Sequence, residues 1–346
     1  MKKLISCRMF LAASLFACAT SAYAWGERGH DLITRVAVQN LRAISDDNQA
    51  LVKPFVERNH MLGHLSNVPD IVWRAPYMTE LERQENYSTH FINLEKVYKG
   101  VATWSDLPDD FDAYSKDALA KGHTAVEVGT APWRVSQLYN RMVQALILAG
   151  QAEDKKALED SVNQALLMGG LMSHFVGDLA NPHHTTANYD GQLSGQRGLH
   201  AYFEHEVIAQ LPFELSAQVA MQAKKNWLAT YPKSEQKAIL SNPQKLVWAL
   251  VANSHSRLPE LLRLDTQYSL LEESKSEKDR ATRKPVTETA RHYEAFAIER
   301  LAIGASTLSQ LWVLAWQQAG APDLSTFRSY NYPVKPDFIR PDYLLR

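Results

Sequence analysis

The sequence has only two cysteines in 346 residues, and both, Cys7 and Cys18, stand in its first 24. Those 24 residues read as an export signal. Lys2, Lys3 and Arg8 give a positive start, Met9 to Ala17 a short apolar core, and Ala22-Tyr23-Ala24 an A-x-A cleavage site. The apolar run is too short to span a bilayer, which favours removal over anchoring. Cutting after Ala24 leaves 322 residues beginning at Trp25, with no cysteine and therefore no disulfide framework. A rival reading takes Leu15-Phe16-Ala17-Cys18 as a lipoprotein box, which Phe16 fits badly. The processed chain is expected in the periplasm or outside the cell.

Positive charge is also in short supply. Loss of Lys2, Lys3 and Arg8 leaves 34 basic against 38 acidic groups, a net charge of −4. Such a chain has no global basic field to draw in nucleic acid or anionic lipid. Any polyanion it handles must meet a local positive site, and a group of metal ions would supply one. There is no second hydrophobic run of membrane-spanning length and no fixed-period repeat. Alternating strand-like stretches are scarce as well.

Helical periodicity is what the sequence does contain. Leu32, Ile33, Val36, Ala37 and Leu41 recur at helical spacing over Asp31 to Leu41. Thr130-Ala-Pro132 is a helix start, followed by apolar positions as far as Gly150. A further helix is predicted from about Asp154 to Leu179, ending before Pro182. Another runs from Glu294 to Gln318, closed by Gly320 and Pro322. The polar stretch Ser274 to Thr289, inside a hydrophilic region near 265–290, reads as a solvated loop. The expected fold is all-α, a single compact multi-helix domain over 25–346.

Chemistry concentrates in three short motifs: His174-Phe-Val-Gly-Asp178, Asn181-Pro-His-His184 and His200-Ala-Tyr-Phe-Glu204. Residues four apart share a helix face, so His174 with Asp178, and His200 with Glu204, can each hold one ion together. Pro182 ends the first helix and presents His183 and His184 on the next turn. Mixed imidazole and carboxylate ligands suit zinc better than magnesium or calcium, which prefer oxygen alone. One such pair would be read as an ordinary helix face or a satisfied core histidine. Two pairs and a His-His within 31 residues, in a chain with 12 histidines, point to metal.

These motifs resemble the zinc-dependent phospholipase C and P1 nuclease superfamily. In those proteins the signal is cut so that Trp becomes the first residue, and its free amino group and carbonyl oxygen bind zinc. The chain repeats that order: Trp25, His30, Asp70 in Asn67-Val-Pro-Asp-Ile-Val-Trp-Arg74, His90 in Thr89-His-Phe-Ile-Asn93, then His174, Asp178, His184, His200 and Glu204. The resemblance implies three zinc ions at the base of a cleft. Asp70, His90, His174 and Asp178 would hold one. Trp25, His30 and the shared Asp178 would hold a second close by, and His184, His200 and Glu204 the third.

The five-residue step from Trp25 to His30, the His-Phe-Ile-Asn run and the late helix look like the S1/P1 nucleases. The third-zinc His-x-x-x-Glu looks like phospholipase C, since nucleases usually place Asp there. Arg74 stands four residues after Asp70, where the nuclease pattern has a phosphate-binding Arg at three. The function so implied is metal-assisted hydrolysis of single-stranded DNA and RNA, leaving 5′-phosphates, with Asp70 also orienting the attacking water. The alternative is a phospholipase C acting on phosphatidylcholine-like lipid, and a third reading is a non-catalytic zinc-binding exported protein. His183, one residue off the family spacing, is a rival to His184. His60, His64, His123, His205, His255 and His292 fit no ligand position. Tyr189, Tyr202 and Phe203 either face a base or a lipid groove or belong to the core.

Overall fold

The computed structural model describes residues 25–98 and 103–345. The expected signal segment and its A-x-A site lie outside them. Helix accounts for 69% of the described residues and strand for 2%, which makes the fold all-α, and it forms one compact domain. Six helices carry the argument: α1 (Gly26–Ile44), α2 (Asn59–Leu65), α3 (Ala131–Gly150), α4 (Lys155–Ala180), α5 (Pro243–Ser256) and α6 (Glu294–Gln318). No helix among the described residues is long and apolar enough to cross a membrane.

The order of polar and apolar residues in α4 explains its place at the centre. Asp154 caps it, accepting the Ala157 N–H at 2.8 Å, an interaction of the kind that contributes about 1 kcal/mol. The first two turns, rich in charge, stay largely open to solvent, and from Met168 to Ala180 every residue is buried. A helix apolar all round must be surrounded, and α1, α2, α3, α5 and α6 pack against it. Close approach on these sides needs small residues. A Cβ on Gly170 would come within 2.7 Å of Leu65 Cβ, and one on Gly169 within 3.0 Å of the Trp312 indole nitrogen.

Pro182, which cannot continue the helix, follows the end of α4, and the Asn181 side chain receives the His183 N–H at 3.1 Å. The turn Pro182–Thr185 that results leads to the segment bearing His200. There a single α-turn, Leu199–Ala201, passes into a π-helical turn over Tyr202–Val207.

The stretch 274–289, expected as a solvated loop, is exposed loop over 275–280, but the chain on either side of that loop is ordered. It forms a two-stranded antiparallel hairpin, β1 (Leu270–Glu272) and β2 (Thr282–Arg283), with Leu270 opposite Arg283. A short helix, Val286–Thr289, follows. The hairpin tip is exposed, yet the Arg283 side chain is only 7% exposed and Thr289 is buried. The charges at the tip gave the polar pattern, and the packed base was hidden behind it.

Candidate metal centre

Eight of the nine expected ligands gather around the buried half of α4. α1 supplies His30, the turn Val68–Ile71 supplies Asp70, and the short 3-10 turn Ser88–His90 supplies His90. α4 itself supplies His174 and Asp178, which project from one face one turn apart. All five residues are at most 4% exposed. Two groups of ligand atoms result, His30 with His174 and Asp178, and Asp70 with His90 and His174, each within 4.8 Å of one another.

Asp178 links the two groups. Its Oδ1 lies 3.4 Å from His30 Nε2, and its Oδ2 lies 3.1 Å from His90 Nδ1 and 3.3 Å from His174 Nε2. Asp70 Oδ1 faces the same rings, at 3.7 Å from His90 and 3.8 Å from His174, and takes an ion pair from Arg74 at 3.1 Å. The third group is His184, His200 and Glu204. Glu204 Oε2 is 2.7 Å from His200 Nε2, and Oε1 is 3.2 Å from His184 Nε2.

Backbone carbonyls fix which nitrogen each ring presents. His174 Nδ1 donates to Ser66 O at 2.7 Å and His184 Nδ1 donates to His90 O at 2.6 Å. Both rings therefore turn Nε2 toward the carboxylates, the arrangement by which metal-binding histidines are oriented. Asn181 does the same for Glu204, its amide donating to Oε1. The motif containing Asn181 was visible in the sequence, but its bond to Glu204 was not. Ser66 acts through its carbonyl and left no signal at all.

These donors fit a cation. Burial, aided by Arg74, holds His90 well below its ordinary pKa, and burial beside the stacked His30 ring does the same to His174. With Nδ1 committed to the Ser66 carbonyl, the His174 ring turns Nε2 inward, 3.0 Å from the His90 ring nitrogen and facing Asp70 and Asp178. Asp70 Oδ2 is buried with no hydrogen-bond partner. Burial pushes the Asp178 carboxyl well above the carboxylate range. Lone pairs converging in a dry site are costly until a positive ion lies among them. In the third group burial opposes charge, but Asp178 and Glu204 together raise His184, and Glu204 raises His200. Burial likewise opposes the Glu204 carboxylate, and His200 and His184 hold it well below its usual range.

Trp25, the ninth expected ligand, heads α1 and is fully buried. Its indole Nε1 donates to Gly177 O at 2.6 Å, beside Asp178. Its carbonyl oxygen accepts the Gly29 N–H at 3.1 Å. His183 joins none of the three groups: its ring stacks on His200 with centroids 5.2 Å apart, and neither of its nitrogens has a hydrogen-bond partner among the described residues. His60, His64, His123, His205, His255 and His292 join none of the three groups.

A cleft of about 480 Å³ opens onto the centre, with Arg74, His90, His184 and His200 among its lining residues. Tyr87, Phe91 and Tyr189 also line it, and Tyr87 and Tyr189 are 60% and 46% exposed. Tyr202 and Phe203 are core residues instead. Fold and site together define a helical protein with three buried imidazole–carboxylate groups able to hold metal ions. No family model, curated protein or solved structure matches the chain.

Proposed function

We propose that the protein is an exported zinc-dependent phosphodiesterase of the S1/P1 nuclease kind, cleaving single-stranded DNA and RNA to 5′-phosphorylated products. The observation that carries this is the convergence of three buried donor groups, two of them sharing His174 and linked by Asp178, on a cleft with exposed tyrosines. Nitrogen and carboxylate donors in these proportions suit zinc. Bound ions of that kind acidify water and neutralise charge on a phosphodiester.

The chain's own residues do the rest. Asp70 and Asp178 place carboxyl oxygens at the floor, and the Ser66 and His90 carbonyls keep His174 and His184 in the ligating orientation. Arg74 lies in the cleft wall, already paired with Asp70, where a phosphate oxygen would come within reach. Tyr87 and Tyr189 offer faces on which unpaired bases stack, worth about 1–3 kcal/mol per base and tolerant of sequence. A double helix keeps its bases stacked and offers none to such walls.

Glutamate at position 204 favours the second reading, a phospholipase C, since that branch places Glu at the third site. The deciding experiment sets the protein cut cleanly at Trp25 against single-stranded DNA, RNA, duplex DNA and phosphatidylcholine vesicles, with metal analysis alongside. Release of 5′-phosphorylated oligonucleotides with near three zinc per chain is expected. Diacylglycerol release without nucleolysis would install the alternative, and zinc without either activity would leave the non-catalytic reading.

A further inference from the structure

The hydrophilic region near 265–290 reaches the segment that carries the third donor group, and does so through an ion pair that the site itself does not use. Arg283 of β2 lies against Asp265, with Nε 2.8 Å from Oδ1 and Nη2 2.9 Å from Oδ2, a two-pronged pair whose side chains are 7% and 0% exposed. The remaining donors of the same guanidinium go to backbone carbonyls of the loop before His200: Nη2 to Gln196 O and Nη1 to Arg197 O at 3.1 Å. Gln196 returns the contact, its amide donating to Asp265 Oδ2 at 3.1 Å.

Two further contacts fasten the same segment. The hairpin backbone pairs with the loop through Ser274 N to Gly195 O at 2.8 Å and Ala281 N to Arg197 O at 3.0 Å. Tyr202, midway between His200 and Glu204, lies under the Arg283 guanidinium at 5.4 Å, and its hydroxyl meets Thr289 of the short helix. The loop turns into the helix at Gly198, whose φ of +94° leaves it few alternatives to glycine. The helix that begins there carries His200 and then passes into a π turn, which by itself is a poorly held geometry.

We infer that Arg283 and Asp265 form a clasp that positions His200 and Glu204, so that occupancy of the third metal group depends on this region while the other two groups do not. This rests on the reading of the centre as a metal site. Arg283 and Asp265 are positioning residues, touching neither metal nor substrate. Only an arginine provides this: lysine offers the charge but not the planar fork that serves one carboxylate and two carbonyls together.

The test compares wild type with Arg283→Lys, Arg283→Met and the double variant Arg283→Met/Asp265→Leu. The double variant removes both buried charges, so the fold is not left with an unpaired carboxylate. Zinc is titrated into each apo protein by calorimetry and counted after dialysis, and hydrogen exchange is followed in the apo proteins. Wild type should take three ions. The variants should keep two at wild-type affinity and bind the third about 10–100-fold more weakly, as loss of an outer support does. Exchange should quicken over 199–207 and stay unchanged over 170–180. A folded variant that binds all three ions as wild type does, with unchanged exchange over 199–207, overturns the clasp. A wild type that binds fewer than three ions overturns the metal reading instead, and the exchange comparison then decides the clasp alone.

Discussion

Asp178 turns one carboxylate oxygen toward His30 and the other toward His90 and His174. Asp178→Asn replaces one acceptor with an amide donor in a fully buried site, so two of the three groups lose a ligand at once. Zinc content should fall from near three to near one and activity should vanish; near-wild-type turnover with three zincs would refute the sharing. His184→Ala should release only the third ion and His183→Ala none, because of these two neighbours it is His184 that pairs with Glu204 and belongs to the third group; the reverse pattern would move the ligand by one residue. Trp25 carries a sharper test. A free α-amine with an ordinary pKa of about 8 can lose its proton to a metal, whereas an amide nitrogen is a poor ligand. One extra residue ahead of Trp25 should therefore lower zinc content and cut the rate by orders of magnitude with the helical content intact. Equal zinc and equal activity in both forms would leave Trp25 as a core aromatic bonded to Gly177.

At the scale of the element, α4 reconciles two demands: it must be apolar enough to be surrounded and must carry two ligands on one face. Gly177, between them, is where the demands meet. Glycine inside a helix costs about 1 kcal/mol relative to alanine, so propensity alone would favour Gly177→Ala. A Cβ there, however, would stand 2.8 Å from His30 Nδ1. His30 has no room to retreat, since it is buried and stacks on His174 with ring centroids 4.1 Å apart. Steric conflict outweighs propensity. Gly177→Ala should weaken the ion held by His30 and leave the His184 group filled. Three ions bound at unchanged affinity would show that His30 has slack.

Over the whole molecule, the candidate metal groups join pieces distant in the chain, from His30 to Glu204, so an ion bound there would favour only the folded arrangement. An ion present at a thousandfold excess over its Kd stabilises the fold by about 4 kcal/mol. Since each kcal/mol moves the melting point of a chain of this size by about 1.5 °C, stripping up to three such ions with a chelator should lower Tm by roughly 10 °C or more. Binding to the native state alone raises stability, so removal can only lower it. A chelated protein that melts within about 2 °C of the zinc-loaded form would mean the clusters are ordinary buried hydrogen-bonded histidines.

The late helix, Glu294–Gln318, was legible to the residue, and α4 to within one at each end, because their apolar spacing and their caps agree on the same limits. The i,i+4 pairs were legible for the same local reason: four residues along a helix return to one face, and His200–Glu204 keeps that contact even through a π turn. What local sequence could not carry is the meeting of segments far apart in the chain. That Asp70 and His90 come to face His174 depends on how α4 is enclosed, and the carbonyls of Ser66 and His90 that orient two rings have no side chain to read. The base of the polar segment was misjudged for a related reason: its charged tip dominates the composition, while the buried Arg283–Asp265 pair is enclosed by the loop before His200, a neighbour in space only. Periodicity and spacing are properties of neighbours along the chain, and they determined the helices and the ligand types. Burial, orientation and charge pairing are properties of neighbours in space, and only the packed molecule could decide them.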